Sequence, residues 1–143
     1  MEAVIFVGVQ GSGKTTFYQE RFSGTHVRIS LDMLQTRRRE QMLFEACLQA
    51  KQAFAIDNTN PLPSDRARYT EAARAARFRV VAYFFETSLG DAIRRNRERE
   101  GEKRIPVAGV AGTFRKMQAP TLAEGFDAIY VVKIEPAGSF IVT

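Results

Sequence analysis

The sequence predicts an α/β fold in which a parallel β-sheet is flanked by helices on both faces. Four short β-rich runs lack helical periodicity, which is typical of strands that are buried on both faces. Stretches with helical patterns separate these runs, and such alternation favours a parallel sheet wrapped by helices. With 143 residues, 45% of them hydrophobic, the chain is long enough to form one domain spanning residues 1–143.

The individual elements follow from local patterns. The strand-like runs cover residues 3–9, 53–57, 79–86 and 128–134, and residues 26–30 would add a further short strand. The helix-like stretches cover residues 13–22, about 33–51 and 64–78, the last beginning with the start signals Ser64 and Asp65. The tail, residues 135–143, is either an extra edge strand or a disordered end.

Composition excludes several classes of protein. No apolar run approaches the ~20 residues of a membrane span, and no signal-type segment opens the chain, so we expect a cytoplasmic protein, with nucleoid or nucleus also compatible. The single cysteine, Cys47, predicts neither a disulfide nor a metal knuckle. The net charge of +5 comes mostly from arginine clusters, which suit an anionic partner but are equally compatible with solvated helix faces.

The strongest motif is a glycine-rich loop between the first strand and the first helix. Gly8, Gly13, Lys14 and Thr15 match G-x-x-x-x-G-K-[ST], whose backbone N–H groups cradle phosphates at a helix N-terminus. The motif predicts a P-loop NTPase that binds ATP and Mg²⁺, with GTP left open as the nucleotide. The expected nucleotide-binding residues are Gly8, Gln10, Gly11, Ser12, Gly13, Lys14, Thr15 and Thr16, of which Lys14 would reach the β and γ phosphates and Thr15 would hold the metal.

Two aspartates follow predicted strands, where the carboxyl ends of a parallel sheet line a ligand crevice. Asp32 could accept a proton from an attacking hydroxyl group, or it could simply cap a helix that starts near Met33. Asp57 could face magnesium together with Thr15, or it could belong to a plain turn before Pro61.

An arginine-rich segment, residues 93–104, precedes and spans a glycine break at Gly101. Arg97 and Arg99 could fold down on the transferring phosphate as part of a mobile lid. The same residues could instead form a solvated helix surface.

Three segments together resemble the kinase domain of the bifunctional polynucleotide phosphatase/kinase family: the glycine loop, "IDNTNPLPSDRARY" and "FRKMQAPTLAEGF". The resemblance covers about residues 4–134 and implies a P-loop NTPase fold of the adenylate-kinase-like type with an arginine-bearing lid. It implies that Asp32 is the general base, that Asp57 lies near magnesium and that Arg97 and Arg99 are lid arginines. It also implies that Arg68 contacts the nucleic-acid strand and that Arg37 and Arg39 approach the substrate end.

The sequence departs from that family at Leu31, where an arginine often stands, and at Arg37, where an aromatic residue is usual. Both departures concern contacts to the acceptor and not to the nucleotide, so they bear on the substrate more than on the reaction type. The motif set and the arginine clusters make a polynucleotide 5′-hydroxyl kinase acting on DNA or RNA ends the leading hypothesis. The first alternative is a kinase of a small hydroxyl compound such as a nucleoside, sugar or antibiotic. The second is a nucleotide-binding domain that has lost transfer activity.

Overall fold

The computed structural model of the chain describes residues 1–98 and 105–143. Its centre is a six-stranded sheet with the order β2-β3-β1-β4-β5-β6. The strands are β1 (Glu2–Val7), β2 (Val27–Ile29), β3 (Phe54–Ile56), β4 (Arg79–Phe85), β5 (Ala128–Ile134) and β6 (Phe140–Val142). The helices are α1 (Lys14–Arg21), α2 (Leu31–Leu34), α3 (Arg37–Ala50), α4 (Pro63–Ala75), α5 (Leu89–Arg97) and α6 (Val107–Lys116), with a 3₁₀ turn at Leu122–Glu124.

The first five strands are parallel, and β6 pairs antiparallel with β5. The predicted α/β fold with helices around a largely parallel sheet is therefore confirmed. Of the two alternatives for the tail, the edge strand is the one that forms, because Phe140–Val142 pairs with β5.

Successive side chains of the central strand β1 point to opposite faces of the sheet, so the hydrophobic core has one part on each face. Ala3, Ile5 and Val7 pack in a cluster with residues of α3 and α4, such as Phe44 and Tyr69. On the other face, Val4 and Phe6 pack with Phe17 and Tyr18 of α1. The helices that follow the neighbouring strands β1 and β3 therefore lie on opposite faces, and a crevice is expected at the carboxyl ends of these two strands.

Two predicted boundaries were wrong. Residues 33–51 form two helices, because Gln35 has a left-handed backbone (φ 70°) and the Thr36 side chain accepts a hydrogen bond from the Arg39 N–H to start α3 afresh. The first strand ends at Val7 and not at Val9, because the chain then turns into the glycine loop.

The other predicted elements lie close to their predicted places, whereas α6 was not predicted. Helix α4 begins with Pro63 at its first position, and Asp65 accepts a hydrogen bond from the Leu62 N–H. Cys47 is buried as a free thiol, and burial raises its pKa above the usual value. Within the described residues, no helix is both long and apolar enough to span a membrane.

Candidate functional site

Two glycines let the glycine loop fold tightly against its surroundings. Gly13 caps α1 with φ 96°, and a Cβ there would lie 2.8 Å from the Ile134 side chain. Gly11 has φ 77°, and a Cβ there would lie 2.5 Å from the Ala92 carbonyl oxygen of α5. Since L-residues rarely adopt such angles and neither position has room, both must be glycine for the loop to keep this shape.

The loop is also tied to the end of β3. The Gly8 N–H donates to the Thr59 carbonyl oxygen at 3.0 Å, and a Cβ on Gly8 would lie 2.8 Å from that of Phe85. Lys14 Nζ curls back over the loop and donates to the carbonyl oxygens of Gly8 (3.0 Å) and Val9 (2.9 Å). The loop is thus held as a compact ring beneath the Lys14 ammonium group.

Other polar groups of the loop have free hydrogen-bonding capacity. The Ser12 hydroxyl and the Gln10 Oε1 atom are buried without a partner among the described residues. The Gln10 amide nitrogen contacts the Thr113 hydroxyl of α6 at 3.3 Å, and Thr16 is exposed on the first turn of α1. A loop that leaves buried polar atoms unpaired, at the positive end of a helix, fits a polyphosphate.

Thr15 and Asp57, both predicted as metal ligands, lie side by side. The Thr15 hydroxyl donates to Asp57 Oδ2 at 2.9 Å, and the Asp57 side chain is 2% exposed. A hydroxyl and a carboxylate beside a phosphate-binding loop fit Mg²⁺, which binds proteins through one or two such oxygens and otherwise through water and phosphate.

An arginine that the sequence reasoning missed joins this pair. Arg28 of β2 donates from Nε to Asp57 Oδ2 at 2.8 Å and from Nη2 to the Thr15 hydroxyl at 3.3 Å. No sequence motif marks this residue, because Asp57 lies 29 positions away, directly after the neighbouring strand β3.

Asp32 lies in the first turn of α2 and is exposed. The alternative that it caps the helix was wrong, because Ser30 occupies the N-cap position. The neighbouring Leu31 N–H donates to Asn58 Oδ1 at 2.9 Å, and Asn58 follows Asp57 directly. The backbone next to Asp32 is thereby tied to the β3 exit, where the preceding Asp57 accepts a hydrogen bond from the Thr15 hydroxyl.

A buried polar network supports Asn58 from below. The Asn58 amide donates to Glu40 Oε2 at 2.7 Å, and the Tyr69 hydroxyl donates to Glu40 Oε1 at 2.9 Å. Arg37 donates to the same Glu40 oxygen at 2.9 Å and to the Tyr69 hydroxyl at 3.0 Å. Burial, followed by the charge and hydrogen bond of Glu40, raises the pKa of Tyr69 to about 12. Tyr69 therefore remains a neutral donor at any physiological pH.

The other predicted arginines are spread over the surface. Arg39 is exposed and donates to the Leu34 carbonyl oxygen, and Arg68 is exposed on α4. Arg97 is exposed in the last turn of α5, which contacts the loop near Gly11. Arg99 lies outside the described residues.

The "DNTNP" and "RARY" segments meet around a second arginine that the sequence reasoning missed. Arg66 is completely buried and forms a fork with Glu124, at 2.8 Å through Nε and 3.0 Å through Nη2. Its Nη1 atom donates to the carbonyl oxygens of Asn60 and Gln118. Asn60 in turn holds Phe6 O at the end of β1, so Arg66 locks the segment after β3 against the chain before β5.

A cavity of about 420 Å³ lies beside the loop. Glu86, Ser88 and Arg95 line it together with Lys133 and Ile134. Because Ile134 also limits the space at Gly13, the cavity adjoins the phosphate-binding end of α1.

Comparisons with known proteins agree with this architecture. A family model described as an AAA domain matches residues 4–121. The chain is 26% identical over 129 residues to a bifunctional polynucleotide phosphatase/kinase of Schizosaccharomyces pombe, in an alignment that covers 87% of this chain and 32% of that protein. The chain therefore spans about a third of the length of this curated relative.

Solved structures with a similar fold include Kti12 and a gluconokinase. Kti12 of Chaetomium thermophilum, in complex with ADP-AlF3, superposes with a TM-score of 0.69 at 15% identity, over 94% of this chain and 92% of that one. A gluconokinase from Sinorhizobium meliloti 1021 superposes with a TM-score of 0.65 at 16% identity, over 92% of this chain and 82% of that one. At these identities the likeness establishes the fold and leaves the acceptor open.

Proposed function

Because the chain belongs to the AAA domain family and has the fold of P-loop kinases, we propose that it is an ATP-dependent polynucleotide 5′-hydroxyl kinase. It would transfer the γ phosphate of ATP to the 5′-hydroxyl end of DNA or RNA. The observation that carries the proposal is the line of contacts from Thr15 through Asp57 and Asn58 to the residue before Asp32. These contacts connect the phosphate-binding loop to the segment that carries Asp32, whose exposed carboxylate would receive the proton.

On the donor side, the backbone N–H groups at the start of α1 and the Lys14 ammonium group would stabilise charge on the phosphates. Thr15 and Asp57 would hold magnesium, which supplies further charge stabilisation when bound. The cavity lined by Glu86 and Lys133 would accommodate the base and ribose.

On the acceptor side, Asp32 would orient the 5′-hydroxyl group and accept its proton. The hydroxyl oxygen forms a bond to the γ phosphorus as the bond from that phosphorus to the β–γ bridging oxygen breaks, and ADP leaves. Arg97 would approach the transferring group, since α5, which ends with it, packs against the loop at Gly11. For Arg99, which lies outside the described residues, the same role is proposed on the resemblance alone.

Support for a nucleic-acid acceptor comes from the polynucleotide phosphatase/kinase relative and from exposed arginines. Arg39 and Arg68 would bind the phosphates of the strand that carries the 5′ end. These contacts go to the backbone of the strand, so little sequence preference is expected.

One observation favours the second candidate, a kinase of a small hydroxyl compound. Arg37 donates to Glu40, which is 2% exposed, so much of its charge is compensated inside the protein. Together with Leu31, this weakens the basic character of the surface next to Asp32.

The test is transfer of labelled γ phosphate from ATP and Mg²⁺ to a 5′-hydroxyl oligonucleotide, beside the same oligonucleotide with a 5′ phosphate. Asp32→Ala should lower transfer about 10²- to 10⁴-fold and leave ATP affinity nearly unchanged, as expected for loss of a general base. Glu45→Ala, which removes an exposed carboxylate from α3, is the matched control and should transfer at the wild-type rate.

The two acceptors give different results. Labelling of the 5′-hydroxyl strand alone, weakened steeply by salt, supports the polynucleotide kinase. ATP binding without labelling of either strand points to the small-molecule kinase. Wild-type transfer by Asp32→Ala would remove Asp32 from the mechanism.

A further inference from the structure

Arg28 is a charged side chain at the centre of the proposed metal site, and the proposed function gives it no role. It contacts the two side chains expected to bind magnesium: Asp57 Oδ2 at 2.8 Å and the Thr15 hydroxyl at 3.3 Å. A third contact, at 3.4 Å, goes to the Ser30 hydroxyl. A guanidinium group thus covers the same carboxylate oxygen that accepts the Thr15 hydroxyl.

The sheet brings these residues together. Ile29 pairs with Ile56 in the parallel register of β2 and β3, and both pack in the cluster beneath α3 and α4. Because side chains alternate along a strand, Arg28 and Asp57 point to the opposite face, which α1 covers. Thr15 lies on the first turn of α1, so all three side chains meet at one corner of the sheet.

The Arg28–Asp57 pair is asymmetric in its access to water. The Asp57 side chain is 2% exposed, whereas that of Arg28 is 23% exposed and starts from an edge strand. Arg28 can therefore turn into solvent, while Asp57 cannot. A divalent cation and the guanidinium group carry the same sign of charge and use the same oxygen, so binding of one weakens binding of the other.

We propose that Arg28 is a positioning residue that holds Asp57 and Thr15 in the metal-free protein, and that Mg²⁺ must displace it from Asp57 to bind. The inference rests on the proposed function, because it assumes a magnesium–nucleotide complex at this site. Arg28 raises the Mg²⁺ concentration at which nucleotide binding is enhanced. When no metal is present, Arg28 keeps the buried carboxylate of Asp57 paired with a positive charge.

The experiment measures ADP affinity by isothermal titration calorimetry over a series of Mg²⁺ concentrations, beginning in EDTA. The variant is Arg28→Gln. The control is Arg79→Gln, which removes the same charge from the opposite end of the sheet, where Arg79 lies 4.0 Å from Glu2. The Mg²⁺ concentration at half-maximal enhancement should fall on the order of tenfold in Arg28→Gln, as expected for loss of a competing neighbouring charge, and should not change in Arg79→Gln.

The outcomes separate the inference from the function. An unchanged or higher Mg²⁺ midpoint in Arg28→Gln overturns the role of Arg28, as does an equal fall in both variants. A wild-type protein that binds no ADP at any Mg²⁺ concentration overturns the proposed function. If circular dichroism shows that Arg28→Gln is unfolded, Arg28→Met replaces it, because methionine keeps an unbranched apolar stem and removes the charge. A midpoint in Arg28→Met equal to that of the wild type then overturns the inference.

Discussion

Two of the arginine–carboxylate pairs, Arg66–Glu124 and Arg28–Asp57, have the same N–O distance of 2.8 Å and differ in their surroundings. Arg66 is completely buried, binds both oxygens of Glu124 and also donates to two carbonyl groups. Arg28 is partly exposed and reaches a single oxygen of Asp57, with longer contacts to two hydroxyl groups.

The difference separates a permanent pair from a displaceable one. All three guanidinium nitrogens of Arg66 donate to protein oxygens, and the side chain is fully buried, so it has no access to water. Around Arg28 one side is open to water, and its carboxylate partner lies beside a phosphate-binding loop. The Arg66–Glu124 pair holds distant parts of the chain together. The Arg28 side chain occupies a position on Asp57 that a bound cation would take.

The largest expected effect comes from breaking the permanent pair. Arg66→Ala should lower the free energy of unfolding by about 3–5 kcal/mol, because Glu124 and two carbonyl oxygens lose their buried partner. Urea denaturation followed by circular dichroism measures this loss. Arg68→Ala, which removes an exposed arginine from the same helix, is the control and should stay within about 0.5 kcal/mol of the wild type. Equal losses in the two variants would show that burial of Arg66 does not matter.

A smaller effect is expected from removing the charge in the displaceable pair. Asp57→Asn should lower the free energy of unfolding by at most about 1 kcal/mol, because Arg28 can turn to water and the new amide still accepts a hydrogen bond. The enhancement of ADP binding by Mg²⁺ should disappear in the same variant, because the carboxylate is lost. A stability loss as large as that of Arg66→Ala would contradict the distinction between the two pairs.

The smallest effect concerns pH. Burial alone would raise the pKa of Glu124, but hydrogen bonds from Arg66 and the Thr121 N–H, with the charge of Arg66, lower it below its usual value. The pair therefore contributes stability that is present above about pH 4.3, the ordinary glutamate pKa, and is lost as pH falls through the lower folded-state pKa. Denaturation midpoints between pH 7 and 3 measure this, and Glu124→Gln should lack this part of the dependence. An identical pH profile in the variant would mean that Glu124 has an ordinary pKa when folded.

Much of the fold was predictable because it depends on local pattern. The residues of β5 were predicted at 128–134 and observed as Ala128–Ile134. The break between α2 and α3 was missed, because Thr36 and the left-handed Gln35 interrupt a stretch whose apolar spacing alone suits one helix. Capping competes with periodicity at such positions, and the sequence pattern does not show which prevails.

The candidate site was predictable only in part. The glycine loop, Lys14 and Thr15 form a contiguous motif, and Asp57 directly follows an apolar strand. Arg28, Asn58 and Glu40 were missed as members of the site, since the contacts from Arg28 to Asp57, from Leu31 to Asn58 and from Asn58 to Glu40 each span 18 or more positions. The catalytic role of Asp32 and the acceptor roles of the surface arginines stay predictions.

By itself, the sequence determined the phosphate-binding loop and the alternation of strands and helices, because both depend on neighbours within a few residues. Only the tertiary structure decided the strand order, and with it the meeting of Arg28 with Asp57 and of Arg66 with Glu124. The same is true of which arginine is buried: Arg66 and Arg68 are two residues apart, and one is enclosed while the other faces water. Burial depends on what packs above a side chain, and that neighbour comes from a part of the chain more than fifty residues away.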